Sequence, residues 1–248
     1  MNISQEMPSR LGEVLSRRFE RIVVLSGAGM SADSGIPTFR SGANGLWREF
    51  NPGDLATPEA WRRDKELVWA WYEWRRGLVM AAQPNPGHVA VGELQRLHGA
   101  SVVTQNVDDL HERGGAADVL HLHGSLFAAR CASCGAPYAL GDPPGEAQRR
   151  SMPPRCRCGG YVRPGVVWFG EDLDTKVLDE ARKRVAACDL LLIVGTSSVV
   201  YPAAGLSAFA PENATVVEIN PQPGAPGRTD YQWQTTAATG LPLLLAAL

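Results

Sequence analysis

A chain of 248 residues has room for one large domain, or for a domain carrying a smaller insert. Its 44% hydrophobic and 20% charged residues are those of a globular protein and exclude a disordered one. A formal net charge of −2 gives no electrostatic reason for nucleic acid or an anionic membrane as the main partner.

No run of 18 or more apolar residues is present, so no membrane span is expected. The N-terminal residues are polar and mixed, without the apolar centre of a signal peptide. The expectation is a soluble, cytoplasmic protein; oligomeric state is not legible.

The first apolar run, Ile22–Leu25, is bounded by charge and by Ser26-Gly27, the pattern of a buried parallel strand. Gly27-Ala28-Gly29-Met30-Ser31-Ala32 follows and fits G-x-G-x-x-A, a phosphate-binding turn or simply a tight strand-to-helix turn. A dehydrogenase should continue into a second strand ending in an acid. Instead Asp33–Arg40 reads as a long loop, against hydride transfer.

Residues 41–80 are rich in tryptophan and hold no convincing strand. Within them, Leu67, Trp71, Trp74 and Leu78 repeat at helical spacing and read as a core-packing face. Tyr72 and Arg75 lie on the neighbouring face, three residues apart, where they can converge on one ligand. A surface salt bridge from Arg75 to Glu73 or Asp64 is the alternative.

Helices are expected over His88–Leu97 and Val177–Cys188, and strands over Ser101–Thr104, Val119–Leu122, Leu190–Val194 and Thr215–Ile219. That alternation implies an α/β fold, a Rossmann-like parallel sheet with helices on both faces. The polar cluster Gln105, Asn106 and Asp108 could line a site or cap a helix. His121 and His123, two apart at a strand end, point the same way if the strand is regular. Glu218 or Asn220, at a late strand end, could bind a ribose. Leu241–Leu248 reads as a last helix.

Cys131-x-x-Cys134 and Cys156-x-Cys158 pair thiolates at a spacing that suits tetrahedral, structural zinc. Cys188 reads as plain core. The expected layout is a Rossmann-like domain of residues 1–40, 86–123 and 165–248. A small domain joins a helical module, 41–85, to a zinc ribbon, 124–164.

GAGMSADSGIPTFR (27–40), TQNVDDLH (104–111), HLHGS (121–125), the cysteine pairs, RPGVVWFGE (163–171), GTS (195–197) and EIN (218–220) occur in that order. Together they resemble the sirtuins, NAD-dependent protein lysine deacylases. The resemblance implies NAD contacts from Gly27, Ala28, Gly29, Ser31, Phe39, Arg40, Gln105, Asn106, Asp108, Gly195, Thr196, Ser197, Asn220 and Ala237. It selects His123 as the catalytic base, with Asn106 beside it, and implies one structural zinc. The second cysteine pair departs from the family's frequent C-x-x-C.

The Y-x-x-R of Tyr72 and Arg75 resembles the sirtuin class that removes succinyl, malonyl and glutaryl groups, with Ala56 leaving room for the larger acyl chain. The expected partner is an acyl-lysine protein or peptide, paired as a strand beside Val166, Val167 and Phe169. Mono-ADP-ribosyl transfer is the alternative use of the same NAD cleavage.

Overall fold

The computed structural model describes residues 6–38, 51–144, 146 and 148–248. Nine strands run in chain order: β1 (Ile22–Ser26), β2 (Ser101–Thr104), β3 (Val119–His121), β4 (Gly124–Cys131), β5 (Pro137–Tyr138), β6 (Val162–Val166), β7 (Leu190–Val194), β8 (Thr215–Ile219) and β9 (Tyr231–Trp233) among the described residues.

Six of them form one parallel sheet in the order β3-β2-β1-β7-β8-β9. Its central strands, β1 and β7, are buried at every position, and apolar at all but the terminal Ser26, because helices cover both faces. Alternation along β1 splits two cores. Ile22 and Val24 face the helices Pro86–His98 and Ala237–Ala247 through Leu94, Leu241 and Leu244. Val23 and Leu25 face Val185 of the helix Thr175–Ala186 and Leu206.

The remaining strands form an antiparallel sheet, β5-β4-β6. Against it packs the helix Lys65–Ala81, whose N-cap Asp64 accepts from the Leu67 N–H. Trp61, Val68, Trp71 and Tyr72 meet Leu126, Val162 and Trp168 in a third core.

Several expectations are corrected. Leu67, Trp74 and Leu78 are only partly buried, whereas Val68, Tyr72, Arg75 and Val79 are all buried. The helix thus turns the Tyr72/Arg75 face most deeply inward. The helix Thr175–Ala186 stops before Cys188, which is nonetheless buried. The glycine turn opens a 3-10 helix, Ala28–Ser34. β9 was not legible; it places Trp233, with 1% of its surface exposed, under the edge of the sheet.

Candidate active site

The chain leaves β1 towards β2 and β3 on one side, and β7 towards β8 and β9 on the other. Connections diverge between β1 and β7, so a crevice opens beyond their carboxyl ends. There the two glycine loops touch. The Gly29 N–H donates to the Gly195 carbonyl at 2.7 Å. A Cβ on Gly29 would stand 2.7 Å from Gly195 Cα, and one on Gly27 would stand 2.8 Å from Thr196 Cβ. Packing of one loop on the other therefore already requires these glycines.

A cleft of ≈ 420 Å³ lies over the loops. Its floor includes Gly27, Ala28, Gly29, Gly195, Thr196 and Ser197; Asn220, Gln105 and Asn106 stand at its sides. Gln105 Nε2 donates to Thr196 Oγ1 at 3.0 Å, and Asn220 Nδ2 to the Thr196 carbonyl at 2.9 Å.

Ser31 and Asp108 lie beneath this surface. Ser31 Oγ donates to Asp108 Oδ2 at 3.0 Å and accepts from Asn106 Nδ2 at 3.2 Å. Asp108 Oδ1 also accepts from the Leu110 N–H at the start of the next short helix, although the N-cap position itself falls on Asp109. Burial pushes the Asp108 carboxyl above its ordinary range. Glu218 faces away, towards the Gly224 N–H and Gln232 Nε2, which leaves Asn220 at the cleft. Ala237 is packed in the core, and its neighbour Thr236 lines the cleft instead. Phe39 and Arg40 lie outside the described residues.

The histidine pair diverges, because β3 ends at His121 and the chain turns before His123. His121 Nδ1 meets the Asn106 carbonyl at 2.9 Å and Nε2 meets Glu112 Oε1 at 2.7 Å. Burial disfavours charge on this ring, but the two acceptors outweigh it and raise its pKa. His123 instead lines the cleft, with Nδ1 3.0 Å from the Gln105 carbonyl. A carbonyl only accepts, so Nδ1 carries the proton and Nε2 keeps a bare lone pair. Burial lowers the pKa of His123, despite the opposing pull of that carbonyl. The result is a neutral imidazole suited to accept a proton.

At the far side of the cleft stand Ala56, Tyr72, Arg75, Val107 and Trp168. Arg75 is 8% exposed, which rules out a surface salt bridge. Glu73 is engaged by Arg76 at 2.7 Å and Asp64 by Arg150 at 2.8 Å. The Arg75 guanidinium lies 4.9 Å from the centre of the Trp71 ring. Sequence reasoning did not assign Trp168 a role; its position in the VVWFGE run was the available signal.

The segment beside which the peptide is expected continues β6 only as far as Val166, so Val167–Gly170 is not a regular strand. The Val167 N–H donates to the His123 carbonyl, Trp168 N–H to Glu171 Oε2 and Phe169 N–H to the Ala56 carbonyl, each at 2.9 Å. A peptide strand beside this segment must pair with other main-chain groups.

The four cysteines converge, with all Sγ atoms within 4.8 Å of one another. Cys131 and Cys158 are 3.4 Å apart, and Cys134 and Cys156 are 3.8 Å apart. Sulfurs about 2.3 Å from a central zinc would stand about 3.8 Å apart, so the set fits one tetrahedral ion. The N–H groups of Cys134 and Ser133 point at Cys131 Sγ and lower its pKa to about 6, favouring the thiolate. Four protein ligands leave no open coordination position, so such an ion is structural.

Residues 27–202 match the Sir2 family. The chain belongs to that family. An NAD-dependent protein deacylase 1 of Pseudomonas aeruginosa is 56% identical over 82% of this chain and 84% of its own length. An NAD-dependent protein deacylase of Methylococcus capsulatus is 48% identical over 100% and 98%. Among solved structures, a Sir2 homologue–NAD complex is 42% identical, with a TM-score of 0.88 over 99% of this chain and 95% of that one. A Sir2 complex with a deacetylated p53 peptide and 3′-O-acetyl-ADP-ribose is 27% identical, with a TM-score of 0.83 over 97% and 98%. Sirtuins use NAD, and the two loops, without side chains at Gly27, Gly29 and Gly195, leave the floor of the cleft open to a close approach by its phosphates.

Proposed function

We propose that this sirtuin is an NAD-dependent protein lysine deacylase that favours acidic acyl groups, succinyl, malonyl or glutaryl, over acetyl. The observation that carries the preference is the buried Arg75, placed with Tyr72 on the cleft wall opposite the glycine loops. NAD, when bound, supplies the ribose that would take up the acyl group: nicotinamide leaves the ribose, the amide bond to lysine breaks with uptake of one water, and free lysine and O-acyl-ADP-ribose result.

The chain's own residues do the rest. Gly27, Ala28, Gly29, Gly195, Thr196, Ser197 and Asn220 hold the phosphates and the adenine-side ribose. Gln105 and Asn106 face the reacting ribose and the nicotinamide, with Ser31 and Asp108 fixing the Asn106 amide from below. Ala237 supports the cofactor's adenine side through Thr236. His123 Nε2 removes a proton from a ribose hydroxyl, so that the oxygen can attack the acyl carbon. Cys131, Cys134, Cys156 and Cys158 hold the structural zinc.

Arg75 pairs with the acyl carboxylate, Tyr72 donates a hydrogen bond to it, and Ala56 leaves it room. The acyl-lysine peptide lies across Val166, Val167 and Phe169; Phe169 is 41% exposed at the rim. We read 1–40, 86–123 and 165–248 as the NAD-binding domain, and 41–85 with 124–164 as the small one. β6 crosses that boundary by two residues. We read the enzyme as cytoplasmic; no helix among the described residues is long and apolar enough to cross a membrane.

A charge-assisted hydrogen bond contributes about 1.5–3 kcal/mol, or roughly a 10- to 100-fold preference. Arg75→Met should therefore lower kcat/KM for a succinyl-lysine peptide by about that factor and spare the acetyl form of the same peptide. Equal losses on both peptides would count against the acidic-acyl pocket.

A further inference from the structure

We propose that Trp168 is a positioning residue for acyl selectivity: its indole N–H occupies the acceptor side of the Tyr72 hydroxyl and leaves that hydroxyl to donate to the acyl group. The inference rests on the acidic-acyl reading above.

Trp168 Nε1 lies 3.0 Å from Tyr72 Oη, and both side chains are buried. An indole N–H donates and never accepts. The phenol oxygen must therefore accept in this contact, and its own proton must point elsewhere. The Tyr72 ring cannot easily swing to another arrangement. It stands edge-on to Trp71, with centroids 4.8 Å apart, and tilted against Trp168 at 6.3 Å. Burial raises the phenol's pKa to about 12, so the proton stays on the oxygen at neutral pH.

The indole is itself fixed from behind. The Arg163 guanidinium lies 3.5 Å from the centre of its ring. Arg163 forks onto Glu171 at 2.5 and 2.8 Å, and Glu171 Oε2 also accepts the Trp168 main-chain N–H at 2.9 Å. One carboxylate thus holds Trp168 by its backbone and, through Arg163, by its ring face. With the indole contact made, a carboxylate beside Tyr72 and Arg75 meets donors from both. Without it, the hydroxyl is free to turn and accept instead, and the discrimination weakens.

The test is a double-mutant cycle on the ratio of succinyl to acetyl kcat/KM for one peptide. Wild type, Trp168→Phe, Tyr72→Phe and the double variant are compared. Trp168→Phe should lower the ratio by about 2- to 10-fold, chiefly through KM for the succinyl peptide. It should add nothing in the Tyr72→Phe background. A wild-type ratio in Trp168→Phe, while Tyr72→Phe lowers it, overturns the role of Trp168 and leaves the pocket standing. An equal drop in both backgrounds also overturns it, because the indole then acts independently of Tyr72. If Tyr72→Phe and Arg75→Met both keep the wild-type ratio, the acidic-acyl reading itself fails and this role falls with it. Should Trp168→Phe not fold, the indole N–H resonance of Trp168 in Tyr72→Phe gives a second reading: it should shift upfield, and an unchanged resonance overturns the contact.

Discussion

His123 Nδ1 lies 3.0 Å from the main-chain oxygen of Gln105, and this contact decides which nitrogen faces the cleft. The carbonyl fixes the proton on Nδ1, which leaves Nε2 as the nitrogen for the base role proposed above. His123→Ala should lower deacylation by about 100- to 10,000-fold. Titration calorimetry should show NAD still binding, because the glycine loops and Asn220 are untouched. Full activity in the variant would remove His123 from the chemistry.

The same ring sets an acid limit on activity. His123 must be neutral to accept a proton, and burial lowers its pKa. As pH falls, the acid limb of kcat/KM should have its midpoint below 6.5, the ordinary imidazole value. A pH profile whose acid limb sits at or above 6.5 would contradict a buried, neutral base.

Two other histidines tie stability to pH. Burial lowers His88 to about 4 and His111 to about 3, and their rings stand 5.1 Å apart. Below about pH 6.5 the unfolded chain takes up protons that the folded chain refuses. Their contribution is full above pH 6.5 and is lost as pH falls towards 4 for His88 and towards 3 for His111. Each ring adds a slope of up to about 1.4 kcal/mol per pH unit in that window. His121 has the opposite sign: its raised pKa stabilises the fold below 6.5, and the gain is lost as pH rises through that pKa. Urea unfolding at pH 5 and 7 should show the less stable protein at pH 5. The difference should shrink in His111→Gln; an unchanged difference would exclude His111 as its source.

The loop contact at the switch point is brittle. Gly195 has φ +59°, and a Cβ there would stand 2.4 Å from the Met30 main-chain nitrogen. Overpacking costs about 1–3 kcal/mol, and the left-handed backbone adds about 1–2. Gly195→Ala should lower Tm by at least about 5 °C and weaken NAD binding. Gly141→Ala, with nothing within 4 Å of its Cβ, is the control. Equal melting of the two variants would show that the loops are not tightly packed.

Zinc should bind at one ion per chain. Cys131→Ser with Cys134→Ser should abolish it, as read by elemental analysis of the purified protein, and should lower Tm. A full zinc equivalent in the double variant would place the ion elsewhere.

Much of this was legible because periodicity and motif spacing are local. β1 and β7 are nearly continuous apolar runs, and their carboxyl ends carry the glycine motifs. The cysteine pairs announced a metal site by spacing alone. What stayed hidden depended on three-dimensional neighbours. Nothing near Tyr72 in the sequence says that Trp168 donates to its hydroxyl. The buried side of the helix Lys65–Ala81 is set by Leu126, Val162 and Trp168: Trp71 enters that core and Leu67 and Trp74 pack at its margin, but apolar spacing could not show that the Tyr72/Arg75 face is buried as well. His121 and His123 were indistinguishable by spacing, because their divergence comes from a turn that alternation cannot reveal.

The most direct test is mass spectrometry of one peptide bearing either acetyl- or succinyl-lysine, incubated with and without NAD. The account predicts faster NAD-dependent loss of succinyl, with nicotinamide and succinyl-ADP-ribose formed in equal amounts. ADP-ribose attached to protein, with both acyl groups left intact, would contradict deacylation and point to mono-ADP-ribosyl transfer.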